Sequence, residues 1–188
     1  NWIYYTMNKT PSQSLKRFLR KEVGGSKYIL DIGCGDGVLA LFLILSLNCK
    51  IYGIDLDKGK IHMANKKLKK RITKGIALCR LCDSRDINKK FGKNIFDWVF
   101  LVHTLHHLPD MGVILSNARN VLKPDGKIFI CEYKQKYGEN SDNCPRYSSR
   151  KIISMLNTSG FRNARACKVH RNLVTIIAKK SKKEARLW

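Results

Sequence analysis

The 188-residue chain is 44% apolar and 27% charged, a balance that suits one globular domain and excludes ordinary disorder. Lys and Arg number 37 against 14 Asp and Glu, giving a net charge of +23. This excludes an inert neutral surface and predicts attraction to anionic partners that salt will screen.

The elements follow in order. Leu15, Phe18, Leu19 and Val23 form a helical stripe opposed by Lys16, Arg17, Arg20 and Lys21, a first amphipathic helix. An apolar strand over 28–32 runs into Gly33-Cys34-Gly35-Asp36-Gly37, and an apolar helix starts at Val38. The second strand covers 51–55. Ile61, Ala64, Leu68 and Ile72 then mark one face of a helix whose other faces are lysine-rich. The third strand covers 76–81 and ends at Cys82-Asp83, and the fourth covers 96–102. A helix over 111–122 leads into Lys123-Pro124-Asp125-Gly126, a turn by composition. A fifth strand over 127–133, a polar loop over 134–145 and a helix over 148–158 follow. Segments 161–170 and 173–179 read as a closing antiparallel pair. The alternation predicts a single α/β domain with a largely parallel sheet: an N-terminal helical segment over 1–27, a core over 28–179 and a basic tail over 180–188.

No apolar run reaches the roughly 18 residues of a membrane span. The first residues show no basic region followed by an apolar core, so no signal peptide is expected. The seven cysteines, an odd number scattered through strands and loops, read as reduced thiols of a cytoplasmic protein.

A strand, a glycine-rich turn and a helix bring backbone N–H groups to a ligand. The spacing is not the dinucleotide Gly-x-Gly-x-x-Gly, because Val38 stands at the third glycine position, and a phosphate-binding Gly-Lys-Ser/Thr is absent. Three acids accompany the turn. Asp31 precedes it, Asp55 closes the second strand and Asp83 closes the third. All three stand at the carboxyl edge, where open α/β sheets bind ligands, and a carboxylate ending the second strand suits ribose hydroxyls.

Six segments at this spacing carry a resemblance. They are Leu30-Asp31-Ile32-Gly33-Cys34-Gly35-Asp36-Gly37, Gly53-Ile54-Asp55-Leu56, Asp83-Ser84, Phe96-Asp97-Trp98-Val99, Leu105-His106-His107-Leu108 and Leu122-Lys123-Pro124-Asp125-Gly126. Over 28–179 the chain resembles the class I S-adenosylmethionine-dependent methyltransferases, with Asp125-Gly126 where Gly-Gly is commoner. The resemblance implies a Rossmann-like seven-stranded sheet in the order 3-2-1-4-5-7-6, strand 7 antiparallel, with helices on both faces. It also implies S-adenosylmethionine as cofactor. Gly33, Cys34 and Gly35 would lie under its methionine and ribose portions, with Asp31 near the amino group. Asp55 would hold the ribose hydroxyls, Leu56 would lie against the adenine, and Asp83 with Ser84 would meet the adenine amine. Val102, closing the fourth strand, completes the cofactor-binding set.

Methyl transfer is an in-line displacement that alignment and desolvation can drive, and it needs a base only if the acceptor must lose a proton. His103, His106 and His107 follow the fourth strand and are the candidate catalytic residues, His103 first because it is nearest the strand end. The alternative is that Leu-His-His-Leu serves packing. His62 and His170 read as surface residues. The fourth strand lacks Asn/Asp-Pro-Pro-Tyr and Pro-Cys, which disfavours amino-methylating DNA enzymes and a covalent cytosine mechanism. Cys79 and Cys82 are spaced so as to point to opposite faces of a strand, a poor chelate, and no metal site is expected.

From Arg146 to Trp188 there are twelve Lys/Arg and one acid, Glu184. This basic balance predicts RNA, an RNA- or ribosome-associated target, or another polyanion as the acceptor or partner. A short loop over 134–145 leaves the acceptor face open, which suits a large substrate. A small-molecule acceptor and a non-catalytic cofactor-binding subunit stay open as alternatives. So does peripheral contact with an anionic membrane through Leu15, Phe18 and Leu19.

Overall fold

A computed structural model describes residues 12–24, 27–134 and 145–181. Most of the polar loop after the fifth strand, the start of the N-terminal segment and nearly all of the basic tail lie outside the described residues. Cys144 lies outside them as well.

Helix α1 (Gln13–Val23) starts where the Ser12 hydroxyl accepts the Leu15 N–H at 3.3 Å. Its Leu15, Leu19 and Val23 are buried, and Phe18 stacks toward Phe129 at 6.1 Å. The apolar side chains expected to reach a membrane are therefore in the core, because the stripe packs on the sheet. The elements that follow are β1 (Tyr28–Ile32), α2 (Val38–Leu47), β2 (Lys50–Asp55), α3 (Lys58–Thr73), β3 (Ala77–Leu81) and α4 (Ile87–Phe91). The second half comprises β4 (Phe96–Val102), α5 (Met111–Val121), β5 (Leu122–Tyr133), α6 (Ser149–Thr158), β6 (Phe161–Ala166) and β7 (Leu173–Lys180). No helix of the described residues is long and apolar enough to cross a membrane.

The seven strands form one sheet in the order β3-β2-β1-β4-β5-β7-β6, parallel except for β7, which runs antiparallel to β5 and β6. Strands buried on both faces need continuous apolar runs, which is why β1 and β4 were legible. Side chains of α1, α2 and α3 fill one face with Trp98, Phe100 and Phe129, and α4, α5 and α6 fill the other. The rings of Phe100 and Phe129 lie 5.0 Å apart, fully buried, and removing either would cost ~3–5 kcal/mol.

Two expected boundaries move. Residues 123–126 do not separate α5 from β5 but bulge out of β5, since Phe96 pairs with Leu122 and Trp98 with Lys127. Asp125 takes the left-handed φ of 61° there, and a Cβ on Gly126 would meet the Lys123 carbonyl at 2.9 Å. Asp97 anchors the bulge: its carboxylate accepts from Lys123 Nζ at 3.2 Å and from the Tyr28 N–H at 2.9 Å. Strand β6 stops at Ala166 rather than 170, and its pairing with β7 slips between Arg162 and Arg165, beside Asn163 at φ 54°.

Candidate functional site

The neighbours β1 and β4 lead to helices on opposite faces, the switch point at which open α/β sheets form a crevice past the carboxyl ends of their strands. The turn after β1 forms one wall. Gly33 and Cys34 donate their N–H groups to the Ile54 carbonyl at 2.8 and 2.9 Å, which lashes the turn to β2. Gly33 has φ 74°, and a Cβ there would lie 2.4 Å from the Thr104 side chain, so only glycine fits. Gly37 lets α2 close on α3, with Ala64 and Leu68 within 3.3 Å of a would-be Cβ. Asp36 pairs with Lys67 of α3 at 2.6 Å.

The three acids meet different fates. Asp31 is 2% exposed, and its Oδ2 has no hydrogen-bond partner among the described residues. Burial, and then the charge of Asp55, raise its pKa to about 7. Asp55 is half-buried, its Oδ2 accepting the Gly35 N–H and its Oδ1 the Asp57 N–H, both at 2.9 Å. Ionised carboxylates offer about four acceptor sites, so Asp55 keeps capacity for a diol. Asp83 is engaged by Arg85, whose Nη2 reaches Oδ2 at 2.6 Å and whose backbone N–H reaches Oδ1 at 2.8 Å. The arginine holds the Asp83 carboxyl below the usual range. Ser84 beside it is buried, and Leu56 is 64% exposed, an apolar side chain open to a planar ligand.

The Cys34 thiol turns away from this wall into the core. It donates to the Gly35 carbonyl at 3.8 Å and lies beside the Cys79 thiol over Gly53, where a Cβ would come within 2.7 and 3.0 Å of the two sulfurs. The neighbouring thiol, reinforced by burial, raises the Cys34 pKa, and the same neighbour lowers that of Cys79. Only the backbone of Cys34 remains to face a cofactor. Cys82, the other half of the Cys-x-x-Cys, donates instead to the Asp83 carbonyl at 3.3 Å.

The turn after β4 forms the opposite wall. Val102 ends the strand half-buried, and its carbonyl accepts the Thr104 hydroxyl at 3.1 Å. His103 adopts a left-handed φ of 54°, donates its N–H to the Cys131 carbonyl at 2.8 Å and stacks on Tyr133 with centroids 4.0 Å apart. Its Nδ1 is buried with no hydrogen-bond partner among the described residues. Burial lowers its pKa to about 4, so the ring is neutral at pH 7. His106 is a different residue: its side chain is 6% exposed and its Nδ1 lies 2.7 Å from Oε2 of buried Glu132. The carboxylate can only accept, so that nitrogen carries the proton. His107 is exposed, with its ring 4.0 Å from that of His106. The three histidines are thus brought to one wall but not to one point. His62 and His170 are exposed.

Sequence reading missed Glu132, Tyr133 and Arg85. An acid inside the apolar run of β5 was the available signal for Glu132, since an unpaired carboxylate there would be costly. Among the described residues, no three of His, Cys, Asp or Glu gather as a metal site.

The crevice fits S-adenosylmethionine on chemical grounds. It offers a buried carboxylate oxygen lacking a partner among the described residues, a turn in which Gly33 admits no Cβ, and a second carboxylate with remaining acceptor capacity. A family profile described as a methyltransferase domain matches residues 30–130. Phosphoethanolamine N-methyltransferase 2 of Caenorhabditis elegans is 30% identical over 154 residues, spanning 72% of this chain and 32% of that protein. Demethylmenaquinone methyltransferase of a Geobacillus species is 30% identical over 118 residues, spanning 62% of this chain and 49% of the relative. The chain therefore spans half or less of these relatives' lengths. In fold, it superposes on a SAM-dependent methyltransferase from Aquifex aeolicus with a TM-score of 0.75, 22% identity and 89% of each chain covered. With its profile, sheet order and glycine turn in agreement, the chain belongs to the class I S-adenosylmethionine-dependent methyltransferase family.

Proposed function

We propose that this domain transfers a methyl group from S-adenosylmethionine to a small-molecule acceptor that enters beside His103 and Tyr133. The observation that carries the reading is Asp31, a buried acid with an oxygen left without a partner among the described residues, at the root of the glycine turn. Such an oxygen is costly unless a ligand cation meets it, and an α-amino group supplies that cation. When bound, the cofactor supplies a sulfonium methyl group, already activated for displacement. Gly33, Cys34 and Gly35 then present backbone, Asp55 accepts from the ribose hydroxyls, and Leu56 covers the adenine. Asp83 and Ser84 stand at the adenine edge, where the adenine amine competes with Arg85 for the carboxylate. Val102 lines the floor.

On the acceptor wall the protein's part is to orient and to exclude water. His103 keeps a bare lone pair at pH 7, but its low basicity makes it a weak proton acceptor. The site therefore suits an acceptor whose nucleophilic lone pair is already exposed, with alignment supplying most of the acceleration. His106 is committed to Glu132, and exposed His107 lies outside the first contact. The names of the relatives support a small acceptor, since phosphoethanolamine and demethylmenaquinone are both small molecules.

A second reading, RNA or another polyanion, rests on α3, which carries seven Lys/Arg and no acid and packs against the glycine turn. Tritiated S-adenosylmethionine incubated with fractionated small molecules, proteins and RNA tests both. Label in the small-molecule fraction is expected. Label in RNA that falls steeply with salt would replace the first reading with the second. Cofactor binding with no labelled fraction would point to a non-catalytic subunit.

A further inference from the structure

One buried acid takes no part in the proposed cofactor contacts. Glu132, next to last in β5, has a side chain only 4% exposed. A buried carboxylate is tolerated when its oxygens are filled, and three consecutive residues fill these. Oε1 accepts the N–H groups of Thr104 at 2.9 Å and Leu105 at 2.7 Å. Oε2 meets Nδ1 of His106 at 2.7 Å. Together with the His103 N–H on the Cys131 carbonyl, this stitches residues 103–106 to the end of β5. The stitch holds His103 at its positive φ, a conformation that a side-chain-bearing residue keeps only when its surroundings demand it.

The same turn touches the cofactor wall. The Thr104 hydroxyl lies 3.4 Å from the Gly33 carbonyl. Its methyl and hydroxyl occupy the space a Cβ on Gly33 would need. Glu132, the turn and the glycine loop thus form a chain of direct contacts from β5 to β1, across the crevice floor.

We propose that Glu132 is a positioning residue that seats Thr104 under Gly33, and so sets the glycine loop for the cofactor while fixing His103 on the acceptor wall. The inference rests on the cofactor reading of the glycine loop. It makes distinct demands on two variants. Glu132→Gln keeps an oxygen for the two backbone N–H groups. Its amide then donates toward His106, which must move its proton to Nε2. Glu132→Ala removes every bond and frees the turn.

Calorimetric titration of S-adenosylmethionine into the wild type and both variants tests the proposal. Circular dichroism establishes folding at the same temperature, and nitrogen-15 spectra report the His106 tautomer. The expected result is a folded Glu132→Ala protein with affinity lowered by about tenfold or more, an effect a merely structural acid would not produce. Glu132→Gln should restore affinity to within about threefold of wild type, with His106 shifted from the Nδ1–H to the Nε2–H form. A folded Glu132→Ala protein that binds like wild type overturns the proposal, as does a glutamine variant no better than alanine. If the alanine variant fails to fold, Thr104→Ser decides. Loss of the methyl under Gly33 should weaken binding about threefold, and unchanged affinity overturns the proposal. A wild type that binds no cofactor would instead strike the reading beneath it.

Discussion

At the β1–β2 side of the crevice the Asp55 carboxylate is held by two backbone N–H groups while an oxygen of Asp31 has no partner among the described residues. At the β4–β5 side Glu132 is held by three donors while Nδ1 of His103 has no partner among the described residues. Each wall therefore combines a satisfied group that shapes the backbone with a buried polar atom that the described residues leave without a partner. The two unsatisfied groups also shift in ways suited to opposite tasks. Burial makes Asp31 reluctant to ionise until a cation arrives, and it keeps His103 uncharged beside an arriving nucleophile. Shape and recognition are divided among different residues, so they can be broken separately.

The largest effect is expected where the walls touch. Gly33→Ala places a methyl 2.4 Å from Thr104 at a φ of 74° and should weaken cofactor binding about a hundredfold or more. Gly75→Ala, outside the crevice, is the control. Its Cβ meets nothing within 4 Å, so only the strain of φ 66° remains, ~1 kcal/mol. Equal losses in calorimetric titrations of the two variants would show that the contact between the walls is immaterial.

Next comes Asp55→Ala, which removes a shaping bond and the proposed ribose acceptor together. Cofactor affinity should fall between about tenfold and a hundredfold. Full affinity in this variant would move the ribose elsewhere.

How far these features could be read from the chain differs between the walls. Asp31, Asp55 and Asp83 stand at or next to strand ends that apolar runs mark, so their placement at the carboxyl edge was legible. Strand β4 agrees with expectation at both ends because, apart from Asp97, its residues form one apolar run. The acceptor wall was not legible. No spacing announces that Glu132 reaches back 28 residues to Thr104, or that His103 sits at positive φ. The Cys34–Cys79 contact likewise arises only when β1 and β3 flank β2. The bulge at 123–126 was read as a turn, correctly in chemistry but wrongly in place, because pairing resumes on both sides of it.

A smaller effect is expected at His103. Once an acceptor is in hand, His103→Ala should lower kcat by about tenfold, less than a strong general base would supply, and leave cofactor affinity within about threefold. A loss of a thousandfold or more would mean that the ring is a true base whose pKa rises in the loaded site. His103 also sets a stability trend. Its folded pKa of about 4 lies below the unfolded 6.5, so its contribution is lost as pH falls from 6.5 toward 4. Acid unfolding monitored by circular dichroism should shift to lower pH when His103 is replaced by a residue that does not titrate.

The most direct measurement concerns Asp31. Its folded pKa of about 7 exceeds the unfolded 3.8, so the unliganded protein loses stability as pH rises through that interval. Asp31→Asn should therefore raise Tm at pH 8. A ligand cation demands the ionised form, so wild-type affinity for S-adenosylmethionine should rise roughly tenfold between pH 6 and pH 8, with a proton released on binding at pH 6. Calorimetry at both pH values, in buffers of different ionisation enthalpy, reads affinity and proton together. The expected result is this rise and release in the wild type, and a weak, pH-independent affinity in Asp31→Asn. Equal, pH-independent binding by both proteins would contradict the account.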